Sequence, residues 1–120
     1  MSGRTRLVAM ATAVVLGYLP ASAQEQEGRV FDTGNDLWSH CSGKGDAHFG
    51  LCAGFVVGIA DAMSNVTGIL GRRACIPLPV SRGQAIDVVK QFLEQHPEKR
   101  HETAVSLAAE ALAGAFPCKP

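Results

Sequence analysis

Residues 46–69 read DAHFGLCAGFVVGIADAMSNVTGI, and this stretch decides the fold class. Leu51, Phe55, Ile59 and Met63 recur every four residues, with Cys52, Val56 and Val66 beside them. That is the period of a helix, not of a strand. Gly50, Gly54 and Gly58 repeat at the same spacing, with Ala62 next in the row. Small residues so placed line one stripe, along which another backbone can approach closely. The G-x-x-x-G pattern is also a membrane dimerisation motif. Here Asp46, His48, Asp61, Ser64 and Asn65 make it a soluble helix. With so few charges, it is expected to be the central and most buried one. Asp61 stands out within it, because an unpaired buried carboxylate is costly. It must lie on a wet edge, pair with an arginine such as Arg72 or Arg82, or make a buried polar contact that fixes register or a partner.

Working outward, Ser42-Gly43-Lys44-Gly45 is a turn. Before it, Thr33 and Asp36 form a T-x-x-D helix start, and Leu37, Trp38 and Cys41 give about two turns of helix. On the other side, Gly71 breaks the pattern, Arg72-Arg73 reads as exposed, and Pro77 and Pro79 hold Leu78 in an extended segment. Ser81-x-x-Gln84 is a capping box. It opens a helix through about Gln95, with Ile86, Val89, Phe92 and Leu93 inward. Pro97 ends that helix, and a charged bend from Pro97 to Glu102 leads to a last helix over about 102–115. There Ala104, Val105, Ala108, Leu112 and Ala115 form the apolar face, and Pro117 stops it. No stretch alternates for long enough to make a strand. The expected class is all-α: a single small four-helix domain over residues 33–118, preceded by a flexible arm at 24–32.

The first 23 residues read as a leader. A basic start with Arg4 and Arg6 precedes an apolar run of 13 residues from Leu7 to Leu19, then Ala21-Ser22-Ala23. This is the layout of a signal peptide cleaved after Ala23. The run is too short to span a bilayer, which takes about 20 residues. Removing 23 of 120 residues leaves 97, enough for one domain. The 11 basic and 11 acidic residues become 9 and 11 once Arg4 and Arg6 are gone. Such balance argues against nucleic-acid binding and against a polybasic membrane surface. The expected location is the periplasm.

All four cysteines, Cys41, Cys52, Cys75 and Cys118, fall after the leader. An even number in a short exported chain reads as a disulfide framework. The intervening stretches of 10, 22 and 42 residues contain no C-x-x-C, the usual mark of structural zinc or redox chemistry. Short connections make neighbouring helices antiparallel, so Cys41 and Cys52 meet at one pole. Cys75 lies at the other, and the last helix brings Cys118 back to it. A Cys52–Cys75 bond would need the linker to retrace ~25 Å of helix. The pairing expected among the three possible is therefore 41–52 with 75–118.

Nothing here is equipped for catalysis, so no enzyme and no cofactor are expected. His40-Cys41 is the one nucleophile-like pair, yet Cys41 is expected to be oxidised. G-x-S-x-G, H-E-x-x-H and phosphate-loop motifs are absent. His96 and His101 flank a proline bend at poor spacing for a shared metal. Asn65-Val66-Thr67 matches a glycosylation sequon at an unsuitable mid-helix place.

Taken in order, several motifs resemble a known family. They are Leu37-x-x-x-Cys41, then Cys52-Ala53-Gly54-Phe55-Val56-Val57-Gly58-Ile59-Ala60-Asp61-Ala62, then Cys75-Ile76-Pro77, Gln84, Phe92-Leu93-x-x-His96-Pro97, and Glu110-Ala111-Leu112 closing in Phe116-Pro117-Cys118. The chain resembles the Rap/Tai immunity proteins, small periplasmic proteins that neutralise peptidoglycan amidase effectors delivered by type VI secretion. The likeness runs from about Gly34 to Cys118. It implies an all-helical, disulfide-bonded fold, a possible homodimer, and inhibition by a helix and loop that occlude the amidase cleft. The matching exposed elements here are the third helix and the bend after it. Their polar side carries Lys90, Glu94, His96, Lys99, Arg100 and His101, which are the candidate partner-binding residues. Gly54, Gly58 and Asp61 are expected to be structural. The alternative is a periplasmic chaperone-like or general protein-binding module, which would expose apolar surface on acidification.

Overall fold

A computed structural model of the chain describes Gly17 and residues 28–120. The leader, Gly17 apart, and residues 24–27 of the arm lie outside the described residues. Four α-helices follow in order: α1 (Gly34–Ser42), α2 (Asp46–Met63), α3 (Arg82–Gln95) and α4 (Ala104–Ala115), with a 3-10 turn at Pro97–Lys99. Among the described residues there is no strand, only isolated bridges at Thr33–Thr103 and Ile69–Arg72.

The capping boxes of α1 and α3 are those written in the sequence. Thr33 caps α1, accepting from the Asp36 backbone N–H, while the Asp36 carboxylate accepts from the Thr33 N–H at 2.8 Å. Ser81 and Gln84 do the same for α3. Each such box satisfies two backbone donors that a helix start leaves unbonded. Thr103 caps α4 through the Ser106 N–H.

The end of α2 differs from expectation. The helix stops at Met63, not near Ile69. Ser64 donates its hydroxyl to the Ala60 carbonyl at 3.1 Å. The Ala74 N–H then reaches the Met63 carbonyl at 3.4 Å, so the returning linker takes over the end of the helix. Short polar side chains that bond nearby backbone disfavour continued helix.

Nor is α2 the most buried helix. Its inner line is Cys52, Val56, Ala60 and Met63, one step round from the expected ridge. Leu51 is 56 % exposed and Val66 86 % exposed. The most buried helix is α4, which buries Ala104, Leu107, Ala108, Ala109, Ala111 and Leu112. Its many alanines let α1, α2 and α3 gather around it. Leu37, Val89 and Leu93 complete the core.

Both disulfides form as expected, Cys41–Cys52 and Cys75–Cys118, with Cα atoms 4.9 Å apart in each. The first ties α1 to α2. The second ties the linker after α2 to the tail after α4, where the Cys75 N–H also donates to the Phe116 carbonyl at 2.9 Å. In so small a core each contributes roughly 2–4 kcal/mol.

Candidate functional site

The bend between α3 and α4 is an ordered element bound to the rest of the domain on its inner side. The Gly34 N–H donates to the Glu102 carbonyl and the Asn35 N–H to the Arg100 carbonyl, each at 2.8 Å. The Ala104 N–H donates to the Asp32 carbonyl at 3.0 Å. These bonds use N–H groups at helix starts, which have no partner within their own helix. They also hold the start of α1 against the bend.

The six candidate residues divide by what their side chains do. Arg100 turns inward: its Nε donates to the Leu93 carbonyl at 2.6 Å, and its guanidinium lies 4.2 Å from the centre of the Trp38 ring. Lys99 Nζ meets Glu110 Oε1 at 2.7 Å and stands over the Phe92 ring. That hydrogen bond raises the Lys99 ammonium above its ordinary value. His96 Nδ1 lies 3.0 Å from Glu98 Oε1, with its ring against Phe92. The Glu98 carboxyl is held below the usual carboxylate range by its own backbone N–H first and by His96 second. Glu94 and His101 are exposed and Lys90 is half-buried. The structure thus brings Lys99 and Arg100 together as anchors of the bend and leaves Glu94 and His101 facing solvent.

The other residues singled out in the sequence are placed as follows. A Cβ at Gly54 or Gly58 would meet no atom within 4 Å, so the expected close approach does not occur among the described residues. The stripe lies on the outer side of α2, opposite Cys52, Val56 and Ala60. Asp61 is exposed on that helix's wet edge and lines a shallow groove with Arg82 and Leu78. Among the described residues it forms no ion pair. Cys41 is in a disulfide and is no nucleophile. His40 and His48 lie beside that disulfide, ring centres 5.8 Å apart, each with a buried Nδ1 lacking a hydrogen-bond partner.

Three contributors escape a reading of the sequence. Gly34 lets the bend press on α1. Trp38 forms the platform under Arg100. Leu70 projects from a turn in the linker. A lone glycine, a tryptophan at a helix middle and a leucine before glycine carry no local pattern that marks them.

The fold and this surface define a class: a small disulfide-bonded α-helical domain with a rigid loop held on its side. The chain belongs to the Rap1a immunity protein family, whose model matches residues 33–118. No curated protein matches the chain. Family membership carries the coarse function, which is immunity to a secreted effector through binding that effector protein.

Proposed function

We propose that the chain is an exported immunity protein that binds a peptidoglycan amidase effector of type VI secretion in the periplasm and occludes its active-site cleft. The family match over residues 33–118 carries this reading. The leader-like residues 1–23 and a cysteine set wholly committed to disulfides support an oxidising compartment outside the cytoplasm. The docking side is the polar side of α3 with the following bend, from Lys90 and Glu94 through His96, Lys99, Arg100 and His101. A loop already fixed by Lys99, Arg100 and three backbone hydrogen bonds loses little conformational freedom on binding. Two copies of the chain associate in this reading, which sedimentation of the purified mature protein checks.

The test is co-expression with the peptidoglycan amidase encoded nearest to this gene, sent to the periplasm. Protection should require residues 1–23 and should weaken in the double variant Glu94→Arg, His101→Glu, whose side chains hold no part of the fold. Protection by a leaderless chain would remove the periplasmic site of action. Undiminished protection by the double variant would remove this docking side.

A further inference from the structure

The linker after α2 contains a turn that its sequence does not suit. Ile69 and Arg72 exchange backbone hydrogen bonds of 2.9 and 2.8 Å, leaving Leu70 and Gly71 as the two central residues. Both have positive φ, 51° and 72°. A two-residue turn of this kind is type I′, whose first central position favours Asn, Asp or Gly. Leu70 is the one non-glycine residue with positive φ among the described residues. A left-handed backbone costs a leucine free energy, because its Cβ crowds the neighbouring carbonyl. The side chain returns nothing to the core, being 67 % exposed. The surroundings nonetheless hold the turn in place. Gly68 is also left-handed, and a Cβ there would collide with the Arg72 carbonyl oxygen. Strain that persists because the structure around it is fixed clusters at functional positions.

Charge beside the turn points to what it meets. Arg72 and Arg73 are exposed and have no carboxylate partner among the described residues. A groove of about 370 Å³ is lined by Leu70 together with Val30, Phe31, Phe55 and Val105. Arg29 stands at its edge, 4.9 Å over the Phe31 ring, and Asp32 is the single acid in its lining. Arg29 thus lines the apolar groove, and Arg72 and Arg73 follow the apolar tip in the chain. The cations of the bend at 97–102 differ, since Lys99 and Arg100 are bound inward.

We infer that the Leu70 turn and its groove are a docking surface for the guarded effector. Leu70 enters an apolar pocket of that protein, and carboxylates rimming the pocket pair with Arg72, Arg73 and Arg29. This rests on the reading of the chain as an effector-binding immunity protein, and it names the chemistry of the partner's surface. Leu70 is the anchor, and the arginines steer association.

Leu70→Asn separates docking from folding, because asparagine accepts the left-handed conformation and keeps the turn. In the mature protein this variant should melt a few degrees higher. It should also bind the amidase encoded nearest to the gene at least about tenfold more weakly, by calorimetry. The pair Arg72→Glu, Arg73→Glu should slow association and flatten its salt dependence while leaving the melting temperature unchanged. Wild-type affinity in Leu70→Asn would overturn the inference, as would the absence of any gain in its melting temperature. A wild-type dimer that Leu70→Asn converts to monomer would assign the groove to a second copy and overturn the effector as its occupant. If the wild-type protein binds no amidase, the target proposed above falls. The docking inference falls with it, whatever the melting temperature of Leu70→Asn shows about strain in the turn.

Discussion

Two sets of helical glycines occupy opposite situations in this domain. Gly34, at the first position of α1, lies beneath the bend, and a Cβ there would strike Leu107 Cδ1 and come within 2.9 Å of the Arg100 Cα and carbonyl oxygen. Gly50, Gly54 and Gly58, on the outer side of α2, would each gain a Cβ with nothing within 4 Å. The repeated glycines carry the visible pattern, and the isolated one carries the close packing. Spacing along a helix says which residues share a face. It does not say whether anything covers that face.

The comparison is most easily broken at Gly34. Gly34→Ala should destabilise the domain by about 1–3 kcal/mol, since the bend cannot retreat without breaking its hydrogen bonds to α1. Urea unfolding measures this, and an unchanged midpoint would mean that the bend is not pressed on α1. Next in size is the contact that holds the bend from the other side. Arg100→Met removes the bond to the Leu93 carbonyl and the cation over Trp38, at a cost of about 1–2 kcal/mol. Trp38 is the only tryptophan in the chain, so its emission reports the same loss directly. Unaltered emission would show that the stacking does not persist in solution.

On the outer side of α2 the sign reverses. Gly58→Ala should stabilise by about 1 kcal/mol through helix propensity alone. A fall in stability would instead show that a second backbone covers the stripe, as in a dimer. The smallest effect belongs to Asp36, whose carboxyl is held below its ordinary value chiefly by the Thr33 hydroxyl and then by the Thr33 N–H. A depressed carboxyl contributes stability above its unfolded pKa of about 3.9 and loses it as pH falls through the lower folded value. The stability difference between wild type and Asp36→Asn should therefore be full near pH 6 and shrink progressively below about pH 4. A difference that does not change over that range would remove the carboxylate from the cap.

Local chemistry is legible over most of the chain. The Thr33 and Ser81 capping boxes, the stop at Pro97 and the disulfide pairs are consequences of short-range bonding and chain connectivity. At the end of α2 local chemistry misleads, because the helix stops at Met63 although the apolar period runs on to Ile69. Val66 and Ile69 continue an apolar period, and nothing nearby says that the Ala74 N–H will claim the Met63 carbonyl. The candidate binding residues were legible as charged and solvent-side, but not as two kinds. Lys99 and Arg100 find Glu110, Leu93 and Trp38 only once α1, α3 and α4 have packed.

By itself, then, the sequence determined the helical class, the helix starts, the cysteine pairing and the family, because each rests on bonds within a few residues or on the order of segments along the chain. Only the tertiary structure decided which helix is most buried, which glycine is pressed against its neighbour and which cations are consumed in holding a loop. Those outcomes depend on what lies across a packed interface, and burial is a property of two surfaces together. The alanines of α4 show this most plainly. Six of its residues are buried, while the longer apolar α2 buries four and keeps one side in water.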